Sequence, residues 1–199
     1  YGKYSTIGGG LGNTSTLSCT FIGGGYGNTT ACDTATIGGG CLNIAKGKLS
    51  SIVGGCSNTA SCNYSFVGGG RSNAASANCS SIVGGCSNIS SCNYSFIGGG
   101  RNNTSSNYDS VVSGGFCNVS NGVWSGVGNG IKNTALGNGS NVAGGRENTT
   151  LNQDDTVAGG FCNKSLGNAG FIGGGSCNTN LTALATIGGG ISNTVNGIR

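Results

Sequence analysis

The sequence predicts an all-β chain: a parallel β-solenoid, or β-roll, of thirteen 15-residue coils with two short strands per coil. Three observations carry this reading. An asparagine recurs every fifteenth residue, thirteen times, from Asn13, Asn28 and Asn43 to Asn193. A glycine stands three residues before each of them, from Gly10 to Gly190. Ile or Val stands six residues before each, from Ile7 and Ile22 to Ile187. A fixed short period means that the chain makes one turn repeatedly and stacks the turns. The register also excludes a disordered tract, which has no reason to hold phase. Residues 1–199 are therefore read as one continuous repeat array, an elongated object whose function resides in its surface.

Each coil is conveniently numbered from its recurrent asparagine, position 0. The branched aliphatic at −6, preceded by Ser, Thr, Phe or Val, suits a strand of three or four residues. Gly-Gly-Gly breaks that strand, because glycine takes backbone angles closed to other residues. A second short extended piece follows around Asn-Thr-Ala/Ser. Fifteen residues at about 3.3 Å each can circle once with two short strands, but cannot run out and back as long ones. So much glycine and β-branching disfavours helix.

Strand alternation assigns the faces. With −6 inward, −8 is inward too, and it is small in Ser5, Thr20, Ala35 and Ser50. Position +2 is small as well (Ser15, Thr30, Ala45, Ala60). One branched aliphatic per coil against small residues makes a thin core, which implies further support from disulfides, carbohydrate or other chains. The position-0 amides are read as a structural ladder that bonds turn backbone or the asparagine of the next coil.

Positions −7 and −9 are read as one outer face. The first carries Phe21, Phe66, Phe96 and Phe171, and the second carries Tyr64, Tyr94 and Trp124. An apolar stripe on an outer face marks an interface, so these seven residues are the candidate contacts between copies.

With eleven Cys and no His among 199 residues, and no CxxC pair, disulfides are a better reading than zinc sites. Coils stacked about 4.8 Å apart fall within the Cα separation that a disulfide accepts. Cys41 with Cys56, and Cys162 with Cys177, occupy matching positions in successive coils. Cys19 with Cys32, and Cys79 with Cys62 or Cys92, are displaced by two positions; Cys86 and Cys117 have no laddered neighbour. An odd total leaves at least one thiol free or bonded to another chain. Heavy cysteine usage and thirteen N-x-S/T sequons both point to an extracellular or cell-surface location. Sequons at position 0 lie in the ladder, where glycosylation is blocked. Those at −10, Asn63, Asn78, Asn93 and Asn138, are the expected carriers of N-linked glycans. Asn180 falls at the nominally interior +2.

Several functions lack their parts. There are five carboxylates, Asp33, Asp109, Glu147, Asp154 and Asp155, and neighbours such as Asp154 and Asp155 point to opposite faces of an extended chain. No glycine run continues into Gly-Lys-Ser/Thr, and no turn carries the repeated Asp of calcium-binding β-rolls. The net charge of +4 is spread thinly over nine Lys and Arg, with no basic run for nucleic acid. No apolar stretch reaches the length of a membrane span. A non-enzymatic chain is expected, with no cofactor, no bound metal, no nucleic-acid partner and no membrane insertion.

The run from Ile7-Gly8 to Asn13 and Ser15, and from Ile37-Gly38 to Asn43 and Ala45, resembles the head repeats of trimeric autotransporter adhesins. Those heads run fourteen residues per coil rather than fifteen. The resemblance implies a left-handed β-roll, a homotrimer and an adhesive role at a bacterial surface; it transfers no binding residue. Both chain ends fall within a repeat, which suggests an array continued in a longer chain or copies joined end to end. Thirteen coils at about 4.8 Å would then give an axial repeat of roughly 60–65 Å. Thr follows the ladder asparagine in eight coils, so a recognition surface for ice or carbohydrate is the other functional class. Ile44, Ala74, Ile89, Val119 and Lys164 interrupt that rank.

Overall fold

The computed structural model describes residues 2–197. The chain is an all-β parallel solenoid of about thirteen coils of about fifteen residues, with two short strands per coil and, among the described residues, no helix. It divides into two compact units, Tyr1–Arg101 and Asn102–Arg199.

In the first unit, the strands at −7 and −6 (Thr6–Ile7, Phe21–Ile22, and onward by fifteen to Phe96–Ile97) form one parallel ladder. The strands at +1 and +2 (Thr14–Ser15 to Ile89–Ser90) form a second. The second unit repeats the pattern, from Val111–Val112 to Thr186–Ile187 and from Thr104–Ser105 to Thr194–Val195. Register is strict, as in Ile22 opposite Ile37 and Ser105 opposite Ser120. The strands have two residues each, shorter than the three or four expected, and left-handed residues at −9, −3 and −1 interrupt the extended backbone between them. A third parallel contact, at −2, links coils through single bridges such as Tyr26 to Cys41 and Ile131 to Arg146.

Left-handed residues make the corners. In every coil the residues at −9, −3 and −1 have positive φ. At −3 this requires glycine: Gly25 sits at φ 99°, and a Cβ there would collide with the carbonyl of Gly40. At −9 and −1 ordinary side chains take the strained conformation, including Leu42 (φ 55°), Tyr64 (φ 58°) and Trp124 (φ 55°), at about 1–2 kcal/mol each. Position −9 is thus a turn, and the strand alternation that placed Tyr64, Tyr94 and Trp124 on one face with the −7 phenylalanines does not apply.

The core is the column of Ile and Val at −6, fully buried at Ile22, Ile37, Ile52, Val112 and Val142. Hydroxyls and methyls at −8 and +2 fill the space around it. A +2 hydroxyl pairs with the −8 hydroxyl five residues later: Ser90 with Ser95 at 2.6 Å, Ser105 with Ser110 at 2.7 Å, Ser120 with Ser125 at 2.6 Å. Two +2 hydroxyls followed by a −8 residue without one have no partner, whereas Thr150, followed by Asp155, turns instead to Ser140 Oγ at 3.0 Å. Thr30 precedes Ala35 and Ser165 precedes Gly170, and among the described residues Thr30 Oγ1 and Ser165 Oγ are the buried side-chain atoms without a hydrogen bond. Gly170 in turn makes room for Asn180, whose Nδ2 occupies the place of its Cβ.

The asparagine ladder accounts for the period. Asn58 Oδ1 accepts the backbone N–H of Asn73 at 3.0 Å. Its Nδ2 donates to Gly54 O in its own coil at 3.0 Å and to Gly70 O in the next at 2.9 Å. Asn118 does the same with Asn133, Gly114 and Gly130. Each amide therefore closes the glycine corner and ties it to the following coil, a geometry no other side chain of that length supplies.

Candidate functional site: the outer ladders

The groups facing solvent are ranked along the coils and do not converge on one point. At −7, Phe21, Phe96 and Phe171 are 45%, 37% and 40% exposed, while Phe66 is half-buried. Each ring is separated from the next by Ser, Thr or a longer gap: Phe66 has Ser51 and Ser81 beside it, and Phe171 has Thr156 and Thr186. The rings of Phe21, Phe66 and Phe171 also lie close to the glycine two residues on, with Cε1 3.5 Å from where a methyl on Gly23, Gly68 or Gly173 would stand. They cover their own coil and still present area to solvent.

At the −9 turn, Tyr64, Tyr94 and Trp124 are more exposed, at 57%, 52% and 68%. Trp124 Nε1 donates to Asp109 Oδ2 one coil away at 3.3 Å. This contact anchors the most exposed of these three rings and engages one of the few carboxylates. Of the neighbouring Asp154 and Asp155, the first is exposed and the second is fully buried. Asp155 accepts from Asn152 N and Gly170 N, both at 2.9 Å; it serves as a turn clamp inside the core.

The −10 asparagines form a second, external amide ladder that sequence reasoning did not anticipate. Lys48 N–H donates to Asn63 Oδ1 at 3.0 Å, Asn78 N–H to Asn93 Oδ1 at 3.1 Å, and Val123 N–H to Asn138 Oδ1 at 3.0 Å. Asn63, Asn78 and Asn138 are exposed and Asn93 is half-buried. Asn180 is fully buried and bonds Ala185 O through Nδ2.

Cysteines concentrate at −2 and −1. Cys41 and Cys56 are parallel bridge partners. Cys162 and Cys177 follow one another at −1, each with left-handed backbone. Burial, and then the neighbouring Cys56, push the Cys41 thiol pKa up; burial and then Cys177 do the same to Cys162. Cys86 lies between Arg71 and Arg101 in its ladder. A hydrogen bond from Ser87, then one from Arg71, hold its pKa below the usual thiol value. Cys19 and Cys32 stand in different columns, the first beside Tyr4 and Thr34 and the second beside Leu17 and Gly47. All eleven cysteines are thiols in this structure.

Two features escaped the sequence reading. One is a leucine ladder at +3 in the second unit, where Leu136, Leu151 and Leu181 are 36%, 46% and 46% exposed and Leu166 is half-buried. Its signal was four successive leucines at a 15-residue spacing. The other is the left-handed corner at −1, signalled by Gly12, Gly27 and Asn102, which adopt that conformation most readily. Among the described residues no group of His, Cys, Asp and Glu is arranged to hold a metal ion. No protein-family model and no curated protein matches this chain.

Proposed function

We propose that this chain is a non-enzymatic structural or adhesive component of an extracellular fibre or surface filament. It associates with copies of itself, laterally, end to end or both, and carries N-linked glycans at Asn63, Asn78, Asn93 and Asn138. The observation that carries the reading is the presentation of large aromatic side chains, Trp124 above all, on solvent-facing positions along a repetitive frame. Exposed aromatics standing whole numbers of coils apart, two or more, suit a partner with the same coil spacing, and another copy of this chain has it. The glycan sites are compatible with the external ladder, since the bond made there uses Oδ1 and a glycan attaches at Nδ2. The resemblance to adhesin heads supports an adhesive role and a trimer. The test is to image and sediment the native, glycosylated material. Filaments or a discrete trimer are expected; a monomer at micromolar concentration with no carbohydrate at the four −10 sites would overturn the proposal.

The second reading is a surface-recognition solenoid, for ice or carbohydrate. It is favoured by the in-register Thr rank at +1, with Thr134 beside Thr149 and Thr179 beside Thr194. Thermal hysteresis at micromolar protein would support ice binding, and a null result would remove it.

A further inference from the structure

The ladders bring two pairs of cysteines into the same column of adjacent coils. In the first unit Cys41 and Cys56 are direct partners in the −2 bridge, both half-buried. In the second, Cys162 and Cys177 have the same backbone setting one coil apart. Cys162 N–H donates to Arg146 O at 2.9 Å and Cys177 N–H to Phe161 O at 2.8 Å, with φ 58° and 56°. In-register parallel neighbours lie about 4.8 Å apart, within the Cα separation that a disulfide accepts. The pairs are isolated from other thiols in their columns. Arg71 separates Cys56 from Cys86, and Lys132 and Glu147 stand between Cys117 and Cys162. Neither pair is sealed in the core, so a small reagent can reach it.

We propose that Cys41/Cys56 and Cys162/Cys177 are two cross-coil dithiol sites, one in each unit, each closed to a disulfide by exchange with a small-molecule disulfide. One thiol, as its thiolate, attacks the small disulfide, forms a mixed disulfide and releases one small thiol, which takes up the proton given up by the cysteine. The partner cysteine, again as thiolate, attacks the protein sulfur of that mixed disulfide and releases the second small thiol with its own proton. Two protein thiols are oxidised and one small disulfide is reduced to two thiols. The waiting partner in the next coil makes the second step fast. The result is a covalent rung parallel to the asparagine rung, one that keeps two coils from separating. This inference does not depend on the assembly proposed above.

The test is to reduce the full chain, expose it to oxidised glutathione and digest it with trypsin without reductant. Lys46 and Lys48 lie between the first pair and Lys164 between the second, so each closed site yields a cross-linked peptide. Links Cys41–Cys56 and Cys162–Cys177 are expected, with a melting temperature raised by several degrees. In Cys56→Ser and Cys177→Ser the expected product is a persistent glutathione adduct on Cys41 or Cys162. A second readout uses the unsubstituted reduced chain and phenylarsine oxide, whose arsenic takes two neighbouring thiols and releases water. Preferential protection of these four cysteines from alkylation is expected. Persistent adducts on Cys41 or Cys162 in the unsubstituted chain, links from them to other cysteines, or arsenical protection without preference would each overturn the proposal.

Discussion

Residues 1–101 and 102–199 use the same coil and decorate it differently. At +3 the first unit carries Thr16, Ala31, Lys46, Ser61, Ser76 and Ser91, whereas the second carries Leu136, Leu151, Leu166 and Leu181 in succession. The first unit holds eight of the eleven cysteines. Its core column is Ile in all but Val67, while the second unit uses Val112, Val127, Val142 and Val157 before returning to Ile172 and Ile187. Yet the amide ladder, the −3 glycine and the left-handed corners run through both without substitution. The comparison teaches that hydrogen-bond geometry fixes the coil, that core volume is adjusted around it, and that outer columns vary freely.

That account predicts a graded series. Removing one rung should cost most, and equally in both units. Asn58→Ala and Asn118→Ala each leave a backbone N–H and one carbonyl (Gly54 O or Gly114 O) without their partners, at about 1–3 kcal/mol per buried group, and take one of two donors from the carbonyl of Gly70 or Gly130. Chemical denaturation should therefore show a loss of about 3 kcal/mol or more, similar for the two variants. A large difference between them would break the claim that one ladder organises both units. Core truncation comes next and should differ: Ile52→Ala is expected to cost about 2–5 kcal/mol, and Val142→Ala less, since one fewer methylene leaves the core.

The hydroxyl pairs give a smaller effect of either sign. Ser120→Ala breaks the bond to Ser125 and should destabilise by about 1 kcal/mol. Thr30→Val removes a buried hydroxyl that has no partner, and thermal melts should show it neutral or stabilising. The thiols give the smallest effect, read only in reactivity. The pKa of Cys86 is lowered, so its thiolate and its alkylation rate should rise at lower pH than those of Cys41 and Cys162, whose pKa values are raised. Mass-spectrometric alkylation profiles across pH 6–10 would check this order.

The period, the fold class and the buried column at −6 were legible because each is a side-chain requirement repeated thirteen times. The left-handed corners were harder to read. Leu42, Tyr64 and Trp124 occupy φ values that propensity reserves for Gly and Asn, and only the stacking of coils imposes them. The same override shortened the strands to two residues and took Tyr64, Tyr94 and Trp124 off the strand face. The candidate interface residues and glycan sites were legible as positions, and the structure adds their settings: separate phenyl rings, aromatics on turns, and an external amide ladder. The core exchange among Asp155, Gly170, Ser165 and Asn180 was not legible, because it exists only between coils.

The central claim is that the position-0 asparagines are internal rungs while those at −10 belong to the outside. Side-chain amide hydrogen exchange, followed by NMR on the folded chain, tests it most directly. The Nδ2 protons of Asn28, Asn58, Asn118 and Asn148 should persist for hours or longer, while those of Asn63, Asn78 and Asn138 exchange at nearly solvent rates. Uniformly fast exchange at both sets would contradict the ladder and, with it, the separation of frame from surface on which the proposed function stands.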